Sequence, residues 1–416
     1  METILGRKRA RGSSLLDELH EDMLEKVLSW LPTTSFFRLR SVCKRWCSVA
    51  GSASFQRACS RVPVRDPWFF MVGSDLDRSV VFDAGVGIWR DLDRSRFRMT
   101  TKHDHRNPIA VASSGGLVCF RYFSGEFVVC NPVTTACREI PSPFESSENQ
   151  TVVVHAIAMK AFSSSSSSSS SSYYKLVMVS GEIPNSLSLH VHDSRNEGWE
   201  NVILSRKPSV SPPESELTYT DTNEVMYFLS KSGEVVSTQM QRSPCKQFSS
   251  VITVEEGTLE EAMIYFLSPS GAVVGCHLTQ RTFIEYPSLL PTYLDHSLDV
   301  VECRGKVYVV TLSEFLESAS LRVWRFSDRS QSWQQVVSMP PAMSNDFYGK
   351  TTTDVNCVGF GDNIFICFNS VEFNCCFSCD LVSGDWAQLP NCFFSDGKPM
   401  EFMSAFSLEP RIEARV

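Results

Sequence analysis

Residues 83–89 read DAGVGIW, residues 193–199 DSRNEGW and residues 380–386 DLVSGDW: a short polar residue, five intervening positions, then an indole. Ser327 with Trp333 and His277 with Phe283 keep the spacing, and Asn131 with Cys137 is a degenerate copy. The copies recur about every 40 to 60 residues, the period of a chain built from repeated supersecondary units. Several units finish in an apolar residue followed by proline: Ile140-Pro141, Tyr286-Pro287 and Leu389-Pro390. A short polar side chain can fold a strand end into an Asx-type turn, and the ring on the next strand can fill the wedge against a neighbouring unit.

Around these turns, strands dominate everything beyond Pro63. Trp68 to Val72, Ser79 to Asp83, Gly116 to Phe120 and Phe127 to Asn131 are short, β-branched or aromatic, and bounded by Gly, Pro, Asn or Ser. Alternation at Leu187, Leu189 and Val191 against Ser188, His190 and His192 predicts that the apolar set faces inward and the polar set outward. Strands in repeats of this length predict a β-propeller. Six units are recognisable, and a weak seventh around Glu234 to Met240 lacks the tryptophan, so seven blades are expected, with six as the alternative. Closure would bring Trp68 to Val72 beside Phe402 to Leu408 and remove exposed sheet edges. The repeats resemble kelch repeats, with the glycine pair of that family plain at Gly115-Gly116.

The first sixty residues read differently. Leu24, Val27, Leu28 and Leu31 recur at helical spacing before Pro32, and Phe36, Leu39, Val42, Cys43, Trp46 and Val49 do so after it. Pro32 ends the first helix, and Thr33, Thr34 or Ser35 is placed to cap the second. Residues 19–32, LHEDMLEKVLSWLP, followed by Arg38, Arg40, Ser41 and the run from Val42 to Trp46, resemble an F-box, with Leu19-His20 standing where that family usually has Leu-Pro. The resemblance implies a three-helix module that docks on a Skp-type adaptor and, through it, on cullin and RING subunits. By position it makes Leu19, Leu24, Val27, Leu28, Leu31, Pro32, Val42, Cys43 and Trp46 the adaptor-binding residues. Some of them must also serve the module's own core, because about fifty residues bury little surface.

The expected organisation is therefore α+β and multidomain. It runs from a disordered basic tail (1–14) through the F-box (15–62) and a kelch-type propeller (63–409) to a short tail (410–416). Ser163 to Ser172, ten consecutive serines between two strand-like stretches, reads as a flexible hairpin insertion. The whole resembles the plant F-box/kelch proteins. That resemblance implies the substrate-recognition subunit of an SCF-type ubiquitin ligase, whose propeller holds an unidentified protein substrate. A non-degradative scaffold or transcriptional cofactor is the alternative.

Composition fits this reading. A net charge of -8 argues against nucleic acid as a principal partner, and the chain has no run of 18 apolar residues for a membrane helix. The start, METILGRKRARG, lacks the apolar stretch of a secretory signal, so a nuclear or cytoplasmic location is expected and the 15 cysteines read as reduced thiols. Arg7, Lys8, Arg9 and Arg11 form either a nuclear localisation segment or a solvated tail. No nucleophile elbow, phosphate loop or zinc-protease helix occurs, so neither catalysis nor a cofactor is expected. Cys376 and Cys379 have metal-like spacing but no second pair, and read as buried thiols; His103-Asp104-His105 reads as a surface loop. Loops 98–108, 208–216, 287–296 and 341–354 are the candidates for substrate recognition.

Overall fold

A blade of short antiparallel strands has two apolar faces, and setting blades around an axis covers both. The computed structural model describes residues 19–73, 79–92, 108–144, 152–163, 172–183, 185–196, 198–207, 226–229, 235–238, 250–254, 262–268, 271–289, 296–315, 318–327, 329–349, 354–369, 375–393, 400 and 402–416. Arg7 to Arg11, the His103-Asp104-His105 triplet, most of loops 98–108 and 287–296, all of loop 208–216 and the interior of the serine run lie outside them.

Four helices come first: α1 (Glu21–Ser29), α2 (Thr33–Leu39), α3 (Lys44–Val49) and α4 (Ala53–Ser60). This is one more than the three expected. The apolar series from Phe36 to Val49 is split by a turn at 40–43, and α4 follows Ser52, whose hydroxyl accepts the Phe55 N–H at 3.0 Å. Thr33 does not cap α2; it is the first helical residue, and Pro32 precedes it without a side-chain cap.

The first blade joins β1 (Trp68–Gly73), β2 (Ser79–Asp83) and β3 (Ile88–Leu92) to the last strand of the chain, β26 (Phe402–Leu408). Trp68 pairs with Leu408 and Phe70 with Phe406, which is the expected closure. The second blade holds β4 (Ile109–Ser114), β5 (Leu117–Arg121), β6 (Phe127–Cys130) and β7 (Cys137–Ile140). The third holds β8 (Val154–Ser163), β9 (Ser172–Glu182), β10 (Ser186–Asp193) and β11 (Trp199–Arg206). After a hairpin of β12 (Met226–Leu229) and β13 (Val235–Thr238), the fourth holds β14 (Ser250–Thr253), β15 (Met263–Leu267), β16 (Val273–His277) and β17 (Thr282–Glu285). The fifth holds β18 (His296–Cys303), β19 (Lys306–Phe315), β20 (Ser318–Ser327) and β21 (Ser332–Ser338). The sixth holds β22 (Asp354–Phe360), β23 (Asn363–Asn369), β24 (Cys376–Asp380) and β25 (Trp386–Gln388).

The described residues thus form six four-stranded blades, the count held as the alternative. The innermost strands β26, β4, β8, β14, β18 and β22 neighbour one another in that order, close the circle and line a central channel. β14 lies directly against β8, and the β12–β13 hairpin, which pairs within itself, falls where a seventh blade was expected. Ser163 pairs with Ser172, so the serine run does bridge a hairpin.

Apolar clusters fill the wedges between blades. Leu187 and Leu189 of the third blade pack with Ile264, Phe266 and Cys276 of the fourth, and Leu321 and Val323 of the fifth with Ile364 and Ile366 of the sixth. The repeated turn works as anticipated. The side-chain oxygens of Asn131, Asp193 and Asp380 accept backbone N–H groups two or three residues on, at 2.8–3.2 Å. Asp83 differs, pairing with Arg90 at 3.5 Å. The ring does more than fill space. Trp199 Nε1 donates to the Pro141 carbonyl at 2.8 Å, Trp89 to Pro390 at 2.7 Å and Trp333 to Pro287 at 2.7 Å. In each pair the proline closes the preceding blade, so the two sequence marks noted separately form one clasp across an interface.

One expectation about facing is corrected. Leu187 and Leu189 are buried, but so are His190 and His192 on the other face of β10, because a blade has a neighbour on each side. His190 contacts Phe144 at the end of the second blade, and His155 of β8 stacks on Phe266 of the fourth.

Two measurements follow. Trp199→Phe should cost about 1 kcal/mol, the net value of a hydrogen bond. Trp386→Phe should cost less, since its indole N–H has no partner among the described residues; equal losses in denaturant midpoint would deny the clasp any energetic role. Burial also pushes the His155, His190 and His192 imidazoles below the ordinary histidine range, against opposing hydrogen bonds to Gly181 and Gly198 at the first and last. Below about pH 6.5 the unfolded chain then binds more protons than the folded one. Stability should be full at neutral pH and decline as pH falls through 6, and His190→Gln should flatten part of that slope in a series of thermal melts.

Candidate functional site

The chain enters the first blade and leaves it on one face of the ring, because Trp68 at the start of β1 pairs with Leu408 at the end of β26. The helices sit at that face. The strands alternate direction, so the turns from first to second and third to fourth strand share it, whereas the connections between blades leave from the far face. All four candidate recognition loops are such connections and therefore depart from one face, opposite the helices. Loop 341–354 is partly folded: α5 (Pro341–Ser344) and a 3-10 turn (Asn345–Phe347) set Phe347 against Phe368 and Phe377 with centroids at 4.4 and 5.9 Å. Phe123, Val152, Val153, Tyr348 and Phe393 are exposed in turns and connections of the far face.

On α1, acidic Glu21 and Asp22 occupy the first turn, where the helix dipole favours them. Leu24 and Leu28 turn inward onto Phe36, Trp46, Val49, Phe55 and Cys59. Beside that face, Met23, Val27 and Trp30 stand at i, i+4 and i+7 and are 58%, 49% and 63% exposed. At 3.6 residues per turn the two sets form one apolar arc of roughly 160°, only half of which this chain covers. Val42, in the turn between α2 and α3, is 66% exposed. From Thr33 to Val62 the sequence has Arg38, Arg40, Lys44, Arg45, Arg57 and Arg61 and no acidic residue, whereas α1, which carries the exposed stripe, has Glu21, Asp22 and Glu25 against Lys26.

The nine residues singled out by resemblance thus divide. Leu24, Leu28 and Trp46 are 1%, 2% and 8% exposed and form the module's own core; Leu19, Leu31 and Cys43 are half-buried against it; Val27, Pro32 and Val42 are exposed. Met23 and Trp30, outside those nine, share the exposed stripe with Val27, and that spacing is legible in the sequence.

Among the described residues no group of three His, Cys, Asp or Glu side chains is placed to hold a metal, and no helix is long and apolar enough to cross a membrane. Cys376 packs between the sixth and first blades and Cys379 between the fifth and sixth, on opposite faces of β24. Burial raises both thiols, Cys379 to about 12, as for cysteines packed among apolar side chains.

Helices with a half-covered apolar arc thus stand in front of a propeller, the order of modules in an F-box protein. The F-box domain matches residues 16–57 and the KIB1-4 beta-propeller matches residues 90–353. The chain is 47% identical over 412 residues to F-box only protein 13 of Arabidopsis thaliana, covering 96% of this chain and 86% of that protein. It is 25% identical over 384 residues to F-box only protein 6 of the same plant, covering 92% and 71%. An F-box/kelch-repeat protein of Arabidopsis thaliana is 28% identical over 195 residues, covering 44% of this chain and 45% of that one. The chain belongs to the plant F-box proteins, with a propeller of the KIB1-4 family; kelch enters only through the name of that more distant relative.

Leu28→Ala should destabilise the helical module by about 2 to 5 kcal/mol, the range for a buried leucine. Trp30→Ala should stay within about 0.5 kcal/mol, as exposed positions do. Chemical denaturation of the two variants of the full chain reads the difference.

Proposed function

We propose that the chain is the substrate receptor of an SCF-type ubiquitin ligase. The Skp-type adaptor packs on the exposed stripe of Met23, Val27 and Trp30 together with Val42, completing the half-covered arc of α1. That uncovered stripe, on a module matching the F-box family, is the observation that carries the reading. The protein to be ubiquitinated is taken on the far face of the propeller, where blade-to-blade connections and the exposed Phe123, Val152, Val153, Tyr348 and Phe393 lie. The chain itself performs no chemistry. It raises the effective concentration of substrate lysines at the transfer site, with the helices and the recognition loops at opposite ends of the ring.

Combining Met23→Ala with Trp30→Ala should weaken adaptor binding by roughly 30-fold, about 2 kcal/mol, the scale of interface anchors. The same protein should melt like the wild type. Undiminished adaptor affinity, read by calorimetric titration, would remove the stripe from the interface.

A further inference from the structure

Residues 409–416, which include the expected tail 410–416, run back from β26 across the helices and the second blade. The Thr33 hydroxyl donates to the Pro410 carbonyl at 2.7 Å, in a buried position. The Arg411 guanidinium donates to the carbonyls of Val62 and Pro63 at 3.2 and 3.0 Å, inside the linker that joins helices to propeller, and pairs with Glu409 and Glu413. Ile412 packs against the core of the helical module, while Ala414 and Val416 pack against the core of the first blades. The linker is tied from its other side as well, since Arg65 donates to the carbonyls of Ser29 and Leu31 at 3.0 and 3.2 Å.

The receptor for this segment is Asn131. Its Oδ1 makes the turn of the second blade, as Asp193 and Asp380 do in theirs, but its fully buried Nδ2 donates to the carbonyls of Arg411 and Ala414 at 3.0 and 2.8 Å. The equivalent turn position is Asp83, Asp193 and Asp380 in three other blades. A carboxylate would serve the turn equally and has nothing to give a carbonyl. At the neighbouring turn, a Cβ on Gly116 would lie 2.9 Å from both Arg411 Cβ and the Glu409 carbonyl oxygen, so the ring is also shaped to let the segment pass.

From this arrangement we infer that residues 409–416 are a rigid coupling, with Asn131 and Arg411 as positioning residues that hold the F-box in one orientation on the propeller. Its meaning for ubiquitin transfer rests on the ligase reading: a fixed angle between adaptor-binding stripe and far face sets where a captured substrate is presented. The coupling itself does not depend on that reading.

Trypsin tests it in the full chain, with cleavage of the Arg61–Val62 bond followed by mass spectrometry, because Arg61 is exposed and only the docked linker protects that bond. Asn131→Asp, Arg411→Met and a chain ending at Leu408 should each lose protection at least ten-fold while keeping the thermal transition of the propeller. Arg411→Met removes only the guanidinium, which contacts the linker, Glu409 and Glu413 rather than the turn at Asn131, so it decides the matter should Asn131→Asp disturb that turn. Unchanged cleavage in variants that keep the transition would overturn the coupling. If the wild type ignores the adaptor yet loses protection on these substitutions, the ligase reading falls and the coupling stands.

Discussion

Each blade of this protein is apolar on both faces, and only a closed circle leaves no such face to water. That constraint explains why the last strand joins the first blade, why the wedge rings recur, and why histidines that alternate with leucines on β10 are buried with them. It also fixes where the helices go. A chain whose first and last propeller strands pair antiparallel must enter and leave on the same side, and the F-box and residues 409–416 are thereby brought together at one end.

The ring was legible in the sequence to the extent that its signals are local. The turn motif spans seven residues, and its six copies correspond to the six blades. The seventh unit, expected around Glu234 to Met240 without the tryptophan, falls at the β12–β13 hairpin. What joins the blades was not legible. Trp89 and Pro390 lie 301 residues apart, and no spacing rule relates them. The outward expectation for His190 and His192 failed for a similar reason: alternation distinguishes two faces but cannot tell that both are covered.

In the helical module the limit is angular. Resemblance and periodicity locate the apolar arc of α1 but not the line dividing the part packed on Phe36 and Phe55 from the part left open. Leu28 and Trp46 fell on the inner side, and Trp30, which continues the open stripe past the last helical turn, on the outer. The fourth helix was signalled by Ser52 ahead of Phe55 and Cys59, a capping residue before an i, i+4 apolar pair, and a reading focused on the preceding helices passes over it.

The third and fourth blades are joined at their rims, where β11 and β17 run parallel and Ser205 pairs with Thr282. The stretch between these blades, from residue 207 to 249, is the longest of the blade-to-blade connections. A long connection is where a ring would ordinarily gape, and here the rim itself is sewn shut across it. Changes of length in that connection therefore leave the pairing of β11 with β17 and the contact of β14 with β8 in place, and the circle keeps its seal whatever the intervening residues spell.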